Sequence, residues 1–191
     1  MRSAGILMPV SSLDSKHGIG CFSKEAYDFI DFLEEAGQSY WQILPIGPTG
    51  FGDSPYQSVS AFAGNPYFID PETLKEDGLL TEQEISSMNF GDNPEKVDYG
   101  ALYNSRYLLL KMAFDRFVEK GGLTSDEYCS FKTAEADWLD DYALFMAIKR
   151  SNDGKSWLEW PSLLRRREEE YMLTVRREQN ELVEFWCSTG A

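Results

Sequence analysis

Two runs near the start of the chain are apolar at successive positions, and the run between them is apolar at every third or fourth. "AGILMPV" (Ala4–Val10) reads as a short buried strand closed by Pro9, followed by the turn-rich "SSLDSKHGIG". Ser23 stands where a helix cap belongs. In "KEAYDFIDFLEEA" behind it, Ala26, Phe29, Ile30, Leu33 and Ala36 recur at helical spacing, with Gly37 as the stop. "SYWQILPI" (Ser39–Ile46) is apolar on both faces, the pattern of an interior parallel strand. Strand, helix and strand make a βαβ unit, which builds either a doubly wound sheet or a (β/α)8 barrel.

Beyond Asp70 the period is helical. "TEQE" (Thr81–Glu84) and "TSDE" (Thr124–Glu127) are capping-box sequences. Tyr103, Tyr107, Leu110, Phe114 and Phe117 fall on one stripe, as do Trp138, Tyr142, Phe145 and Met146, with Lys149 at the end. From Ser162 the pattern predicts one long charged helix with Tyr171, Val175, Leu182, Phe185 and Trp186 on its apolar side. The expected division is a βαβ part in residues 1–70 and a helical segment in 71–191. Two parallel strands do not make a stable sheet alone, and "EFWCSTGA" breaks a helix off into a short polar tail. The expectation is a chain truncated at its C-terminal end.

Composition narrows the classes. At 191 residues with 42% hydrophobic content a packed core is affordable, so disorder is excluded. A net charge of −14 argues against nucleic acid as a partner, and neutral substrates are compatible with it. The cysteines Cys21, Cys129 and Cys187 are odd in number and far apart, which fits a reducing compartment. With no signal-like start and no apolar run near membrane-spanning length, the expectation is a cytoplasmic protein without a membrane partner. His17 is the sole histidine, too little for a zinc site or a Ser-His-Asp triad, and reads as a loop residue.

The stretch "GFGDSPYQSVSAFAGNPYFID" (Gly50–Asp70) has the glycines and prolines of a loop and yet five aromatic rings: Phe51, Tyr56, Phe62, Tyr67 and Phe68. Loops seldom carry so much apolar surface. Pro55 restrains the backbone beside Tyr56, so this ring is a candidate platform for the apolar face of a hexose, with Ser54 and Gln57 as hydrogen-bonding neighbours. Phe62, Tyr67 and Phe68 are expected to pack the loop down. A phosphate loop is excluded, because there is no GxxxxGK[ST] and GxGxxG fails at Pro55. Asp53 reads as a turn former or as support for the site, and neither it nor Asp70 is assigned chemistry.

"GILMPVSSL…HGIG", "FIDFLEEAGQSYWQILPIGPTGFGDSPYQSVSAFAGNPYFID" and the later "WLEWP" resemble the N-terminal part of the 4-α-glucanotransferase (amylomaltase, or disproportionating enzyme) family. The resemblance covers residues 2–80 closely and the helical segment more weakly; Asp14 departs from it, where the family has proline. It implies an α/β fold, the start of a (β/α)8 (TIM) barrel followed by a mainly helical insertion. It also implies transfer of α-1,4-glucan segments to the 4-hydroxyl of glucose or another glucan, with α-1,4-glucans and maltooligosaccharides as partners and no cofactor or metal. Tyr56 matches the family's stacking tyrosine and Ser54 the serine close by. The chemistry is retaining, with a carboxylate nucleophile and an acid/base about 5–5.5 Å apart. The family's catalytic carboxylates are expected beyond residue 191, so no catalytic residue is assigned and the isolated chain is expected to be inactive. An α-amylase-like hydrolase and a non-catalytic glycan-binding protein stand as the alternatives.

Overall fold

A computed structural model of the chain describes residues 3–50 and 52–190; Phe51 of the aromatic loop lies outside the described residues, as do Met1, Arg2 and Ala191. The chain packs as two units, Met1–Phe117 and Val118–Ala191.

In the first unit, strand β1 (Gly5–Leu7) pairs in parallel with β2 (Tyr40–Gln42) in the register Gly5 to Tyr40, Ile6 to Trp41 and Leu7 to Gln42. Both strands are shorter than the apolar runs predict. Pro9 has no N–H to donate, so β1 turns into a 3₁₀ turn at Val10–Ser12. Residues 43–46 then have no length of β1 beside them to pair with. Helix α1 (Lys24–Glu35) makes the crossover. It ends as the sequence predicts: Gly37 takes φ 67°, and the Gly37 and Gln38 N–H groups donate to the carbonyls of Glu34 (2.9 Å) and Leu33 (2.9 Å). Its start differs. Ser23 occupies the cap position, but its hydroxyl donates to the Glu25 carboxylate (2.6 Å) instead of accepting from the helix. Ala26 and Leu33 are buried and Phe29 packs edge-on against Trp41 (5.2 Å), whereas Ile30 and Ala36 of the expected stripe face outward.

Three helices complete this unit: α2 (Pro71–Glu76), α3 (Glu82–Ser86) and α4 (Tyr99–Glu119). Asp70 caps α2 by accepting from the Glu72 N–H (3.1 Å), and the Thr81/Glu84 capping box is formed in full. Leu80 and Ile85 pack against Leu109 and Ala113 of α4. The buried stripe of α4 runs through Leu102, Arg106, Leu109, Ala113 and Phe114, and Tyr103 is exposed. The rotation has a clear origin: the aromatic spacing pointed to Tyr103, while Leu102 and the aliphatic stem of Arg106 supply the inward face.

The second unit is helical: α5 (Asp126–Ala134), α6 (Leu139–Ser151), α7 (Ser162–Arg165), α8 (Glu169–Glu178) and α9 (Asn180–Thr189). Its core joins Leu139, Ala143 and Ala147 of α6 with Val183, Phe185 and Cys187 of α9. The cap of α5 is Ser125, whose hydroxyl accepts from the Tyr128 N–H (3.3 Å); Thr124 lies in the preceding 3₁₀ turn and donates to the Gly121 carbonyl (2.9 Å). The expected single helix from Ser162 is three. Arg167 adopts φ 53°, and the Arg167 and Glu168 N–H groups close α7 onto the Leu164 (3.1 Å) and Leu163 (3.2 Å) carbonyls. This is a helix stop made without glycine, which the composition conceals. Among the described residues no helix is long and apolar enough to cross a membrane.

Candidate functional site

The segment after β2 leaves the strand and returns to it. The Asn65 N–H donates to the Ile46 carbonyl (2.9 Å), which closes residues 46–65 into a loop with adjacent ends. Short-range bonds brace its interior. The Asp53 N–H donates to the Gly50 carbonyl (3.1 Å), and the Gln57 N–H to the Ser54 carbonyl (3.1 Å). The Ser60 hydroxyl accepts from the N–H groups of Phe62 (3.1 Å) and Ala63 (3.1 Å). Gly47 has no room for a side chain: a Cβ there would stand 2.6 Å from the Ser58 hydroxyl oxygen.

Ser54, Tyr56 and Gln57 are brought together on one tight turn with Pro55 at its second position. The Ser54 hydroxyl accepts weakly from the Tyr56 N–H (3.4 Å). Tyr56 is 72% exposed, so its side chain stands out from the turn into solvent. The remaining rings divide. Tyr67 is buried, and Phe68 packs edge-on against Phe22 (6.0 Å), as expected for rings that hold a loop down. Phe62 corrects that expectation: it is 72% exposed, since the serine-bonded turn under residues 60–63 carries its side chain outward.

Behind the loop stands a row of phenols, Tyr67 with Tyr99 (6.2 Å between ring centres) and Tyr107 (5.8 Å), and Tyr107 with Tyr103 (5.2 Å). Asn65 fixes the start of this base by accepting from the Tyr67 N–H (3.0 Å). Arg106 fixes its end. Fully buried, it donates to the carbonyls of Ile69 (3.1 Å) and His17 (3.2 Å) and lies 5.7 Å from the Phe90 ring centre, with no partner for Nε among the described residues. One side chain of α4 thereby ties the loop after β1 to the far end of the aromatic loop. His17 is accordingly no free loop residue: it is buried, its Nε2 lies 3.2 Å from the Glu72 carboxylate, and its ring meets Phe90 edge-on. Burial and then the Arg106 charge lower its pKa, against the opposing pull of Glu72.

The two nearby acids are placed differently. The buried Asp70 carboxylate is engaged as the cap of α2. Asp53 takes φ 54° beside Gly52 at φ 89°, and its carboxylate, open to water, has no hydrogen bond or ion pair among the described residues. Desolvation raises its pKa. A cavity of about 30 Å³ under the loop is lined by Asp53, Thr49, Pro55, Asn65 and Tyr99 together with Val10 and Leu44 from the strand ends. No group of three His, Cys, Asp or Glu side chains suited to a metal occurs among the described residues. Cys21 and Cys187 are buried, with their thiols pushed up to about 11 and about 12 by desolvation, and Cys129 is exposed. The arrangement can offer a ring face and neutral hydrogen-bonding groups to a polar ligand, with one carboxylate close by. Sequence reasoning missed Arg106 and the row of phenols. A lone arginine on an apolar helical stripe was the available signal for the former.

A family model described as 4-alpha-glucanotransferase matches residues 8–189. The chain is similar to the 4-alpha-glucanotransferase of Clostridium butyricum, 46% identical over 179 residues, covering 94% of this chain and 36% of that protein. To the 4-alpha-glucanotransferase of Thermus thermophilus it is 46% identical over 189 residues, covering 98% and 37%. Among solved structures, an amylomaltase from Streptococcus agalactiae in complex with acarbose superposes with a TM-score of 0.94 at 40% identity, covering the whole of this chain and 38% of that one. The chain thus spans little more than a third of the length of these relatives.

Proposed function

The chain belongs to the 4-alpha-glucanotransferase family, and from that premise we propose that it forms the glucan-binding N-terminal part of an enzyme that moves α-1,4-glucan segments onto the 4-hydroxyl of glucose or of another glucan. In this proposal residues 1–70 contribute the first βαβ portion of a (β/α)8 barrel and residues 71–191 a helical insertion. That division is one of role, distinct from the packing boundary at Phe117. The parallel pair β1–β2 with its α1 crossover supports it, because parallel βαβ units are what such barrels repeat.

The observation that carries the reading is Tyr56: an outward ring, 72% exposed, on a turn fixed by Pro55 and by backbone bonds inside a closed loop. A hexose stacks its C–H face on such a ring, while Ser54 and Gln57 meet its hydroxyls. Holding the sugar rigidly matters because retaining transfer depends on the alignment of two carboxyl groups with one glycosidic bond. Those carboxylates are proposed to come from outside these 191 residues, and the compartment is proposed to be the cytoplasm.

Titration of the chain with maltoheptaose by NMR tests the reading. Saturable shifts centred on residues 54–57 and lost in Tyr56→Ala support it. Shifts elsewhere, or none, overturn it.

A further inference from the structure

Arg106 puts a charge on the buried stripe of α4. It is wholly withdrawn from water, and among the described residues it forms no ion pair. The charge of Asp70 is felt there, but that carboxylate is engaged in capping α2. A buried cation is costly unless it is paired or fully hydrogen-bonded, and Nε has no partner among the described residues. What the guanidinium does hold is two carbonyls from separate loops, Nη1 donating to Ile69 (3.1 Å) and Nη2 to His17 (3.2 Å). His17 belongs to the loop that follows β1, and Ile69 to the end of the segment that follows β2. The two strands run in parallel, so both loops leave the sheet at the same end. A further bond, from the Phe22 N–H to the Phe68 carbonyl (3.1 Å), crosses the same gap.

We infer that Arg106 is a positioning residue for glucan recognition: it clamps the loop after β1 to the root of the Tyr56 loop and so fixes where that loop stands. The inference rests on the glucan-binding reading of the loop. From Ile69 the chain runs back through the buried Tyr67, packed on Tyr99 and Tyr107, to Asn65, whose N–H closes the loop on the Ile46 carbonyl (2.9 Å). Bonds inside the loop fix Tyr56 relative to the loop, and the clamp fixes the loop relative to α4 and to its neighbour after β1. A ring already set for its ligand loses less freedom on binding. A guanidinium suits the task, because its planar fork reaches two acceptors at a fixed separation, whereas a lysine ammonium is a point donor. Arg106 touches no sugar itself and acts through the placement of Tyr56.

The experiment is calorimetric titration of maltoheptaose into the full chain and into Arg106→Met, Arg106→Lys and Ile85→Ala, with the ligand-free amide resonances of residues 46–65 recorded for each. Ile85→Ala is the stability control: it removes packing against Leu109 and Ala113 of the same helix and leaves both carbonyls their donor. In Arg106→Met the expected result is binding weakened about fivefold or more, together with shifted loop resonances. Arg106→Lys should fall between, and Ile85→Ala should bind as the unsubstituted chain does, with its loop resonances in place. Full affinity in Arg106→Met, or an equal loss in Ile85→Ala, overturns the positioning role and leaves Arg106 a contributor to stability alone. Should Arg106→Met not fold, Arg106→Lys decides: weakened binding with shifted resonances upholds the clamp, and full affinity overturns it. Failure of the unsubstituted chain to bind overturns the glucan-binding reading and this role with it, a result distinct from a loss confined to the Arg106 variants.

Discussion

At the scale of single residues, Tyr56 and Arg106 do opposite things with their bulk. Tyr56 exposes a ring and gains nothing from it in the fold, so its removal should be felt by the ligand. Stacking on one ring contributes about 0.5–1.5 kcal/mol, and loss of positioning adds to that. Tyr56→Ala is expected to weaken maltoheptaose binding roughly tenfold, about 1.4 kcal/mol, with the thermal midpoint unchanged. Tyr56→Phe keeps the face and should retain most of the affinity; equal losses in the two variants would shift the role from stacking to the hydroxyl. Arg106 is fully buried and spans two carbonyls from distant segments. Arg106→Met fills the space but leaves the Ile69 and His17 carbonyls without their donor, at about 1–3 kcal/mol each. Urea unfolding followed by near-ultraviolet circular dichroism should show a loss of about 3 kcal/mol. An unchanged midpoint would mean that water replaces the guanidinium at no cost.

At the scale of elements, helix ends decide where sequence and structure agree. "TEQE" was legible because a capping box is local, with every partner inside four residues. "TSDE" misled by one position: Ser125 also has a capping hydroxyl, and the Gly121 carbonyl captures Thr124. Ser125→Ala should therefore cost about 1 kcal/mol and Thr124→Ala distinctly less; the reverse order in thermal unfolding would restore Thr124 as the cap. The stop at Arg167 was illegible because nothing in "RRREEE" demands a left-handed residue. Strand length was illegible too, since it depends on how much of a neighbouring strand lies alongside. The α3 box also makes a pH prediction. Hydrogen bonds from Arg116 and then Thr81 hold the Glu84 carboxyl at about 2, below its ordinary 4.5. Its folded-state pKa is depressed, so its contribution is fully present above about 4.5 and is lost as pH falls towards about 2. Stability should decline across that interval, and Glu84→Gln should flatten part of the decline; a parallel fall in both proteins would place the acid sensitivity elsewhere.

At the scale of the whole chain, the strands and α1 leave apolar side chains in water. Ile6, Leu7, Tyr40 and Ile43 are exposed on or beside the sheet, and Tyr27, Ile30 and Phe32 are exposed on α1. Apolar exposure clustered on one βαβ unit is the pattern that binds hydrophobic dyes, so the chain should enhance anilinonaphthalene sulfonate fluorescence while folded; no enhancement would show that surface to be covered. Catalysis is the stricter test. Retaining transfer needs one carboxylate to attack and a second carboxyl group, roughly 5–5.5 Å away, to shuttle the proton. Near the Tyr56 turn, Asp70 is committed to capping α2, and among the described residues Asp53 has no hydrogen bond or ion pair and belongs to no cluster of three acids. One carboxylate can recognise a sugar, yet it cannot both attack and protonate. The expected outcome for the purified chain with maltotriose is therefore binding without products, followed by chromatography for glucose and longer maltooligosaccharides over many hours. Product formed in proportion to the chain, and abolished by Asp53→Asn, would show that this loop holds a working nucleophile and would overturn its assignment to binding.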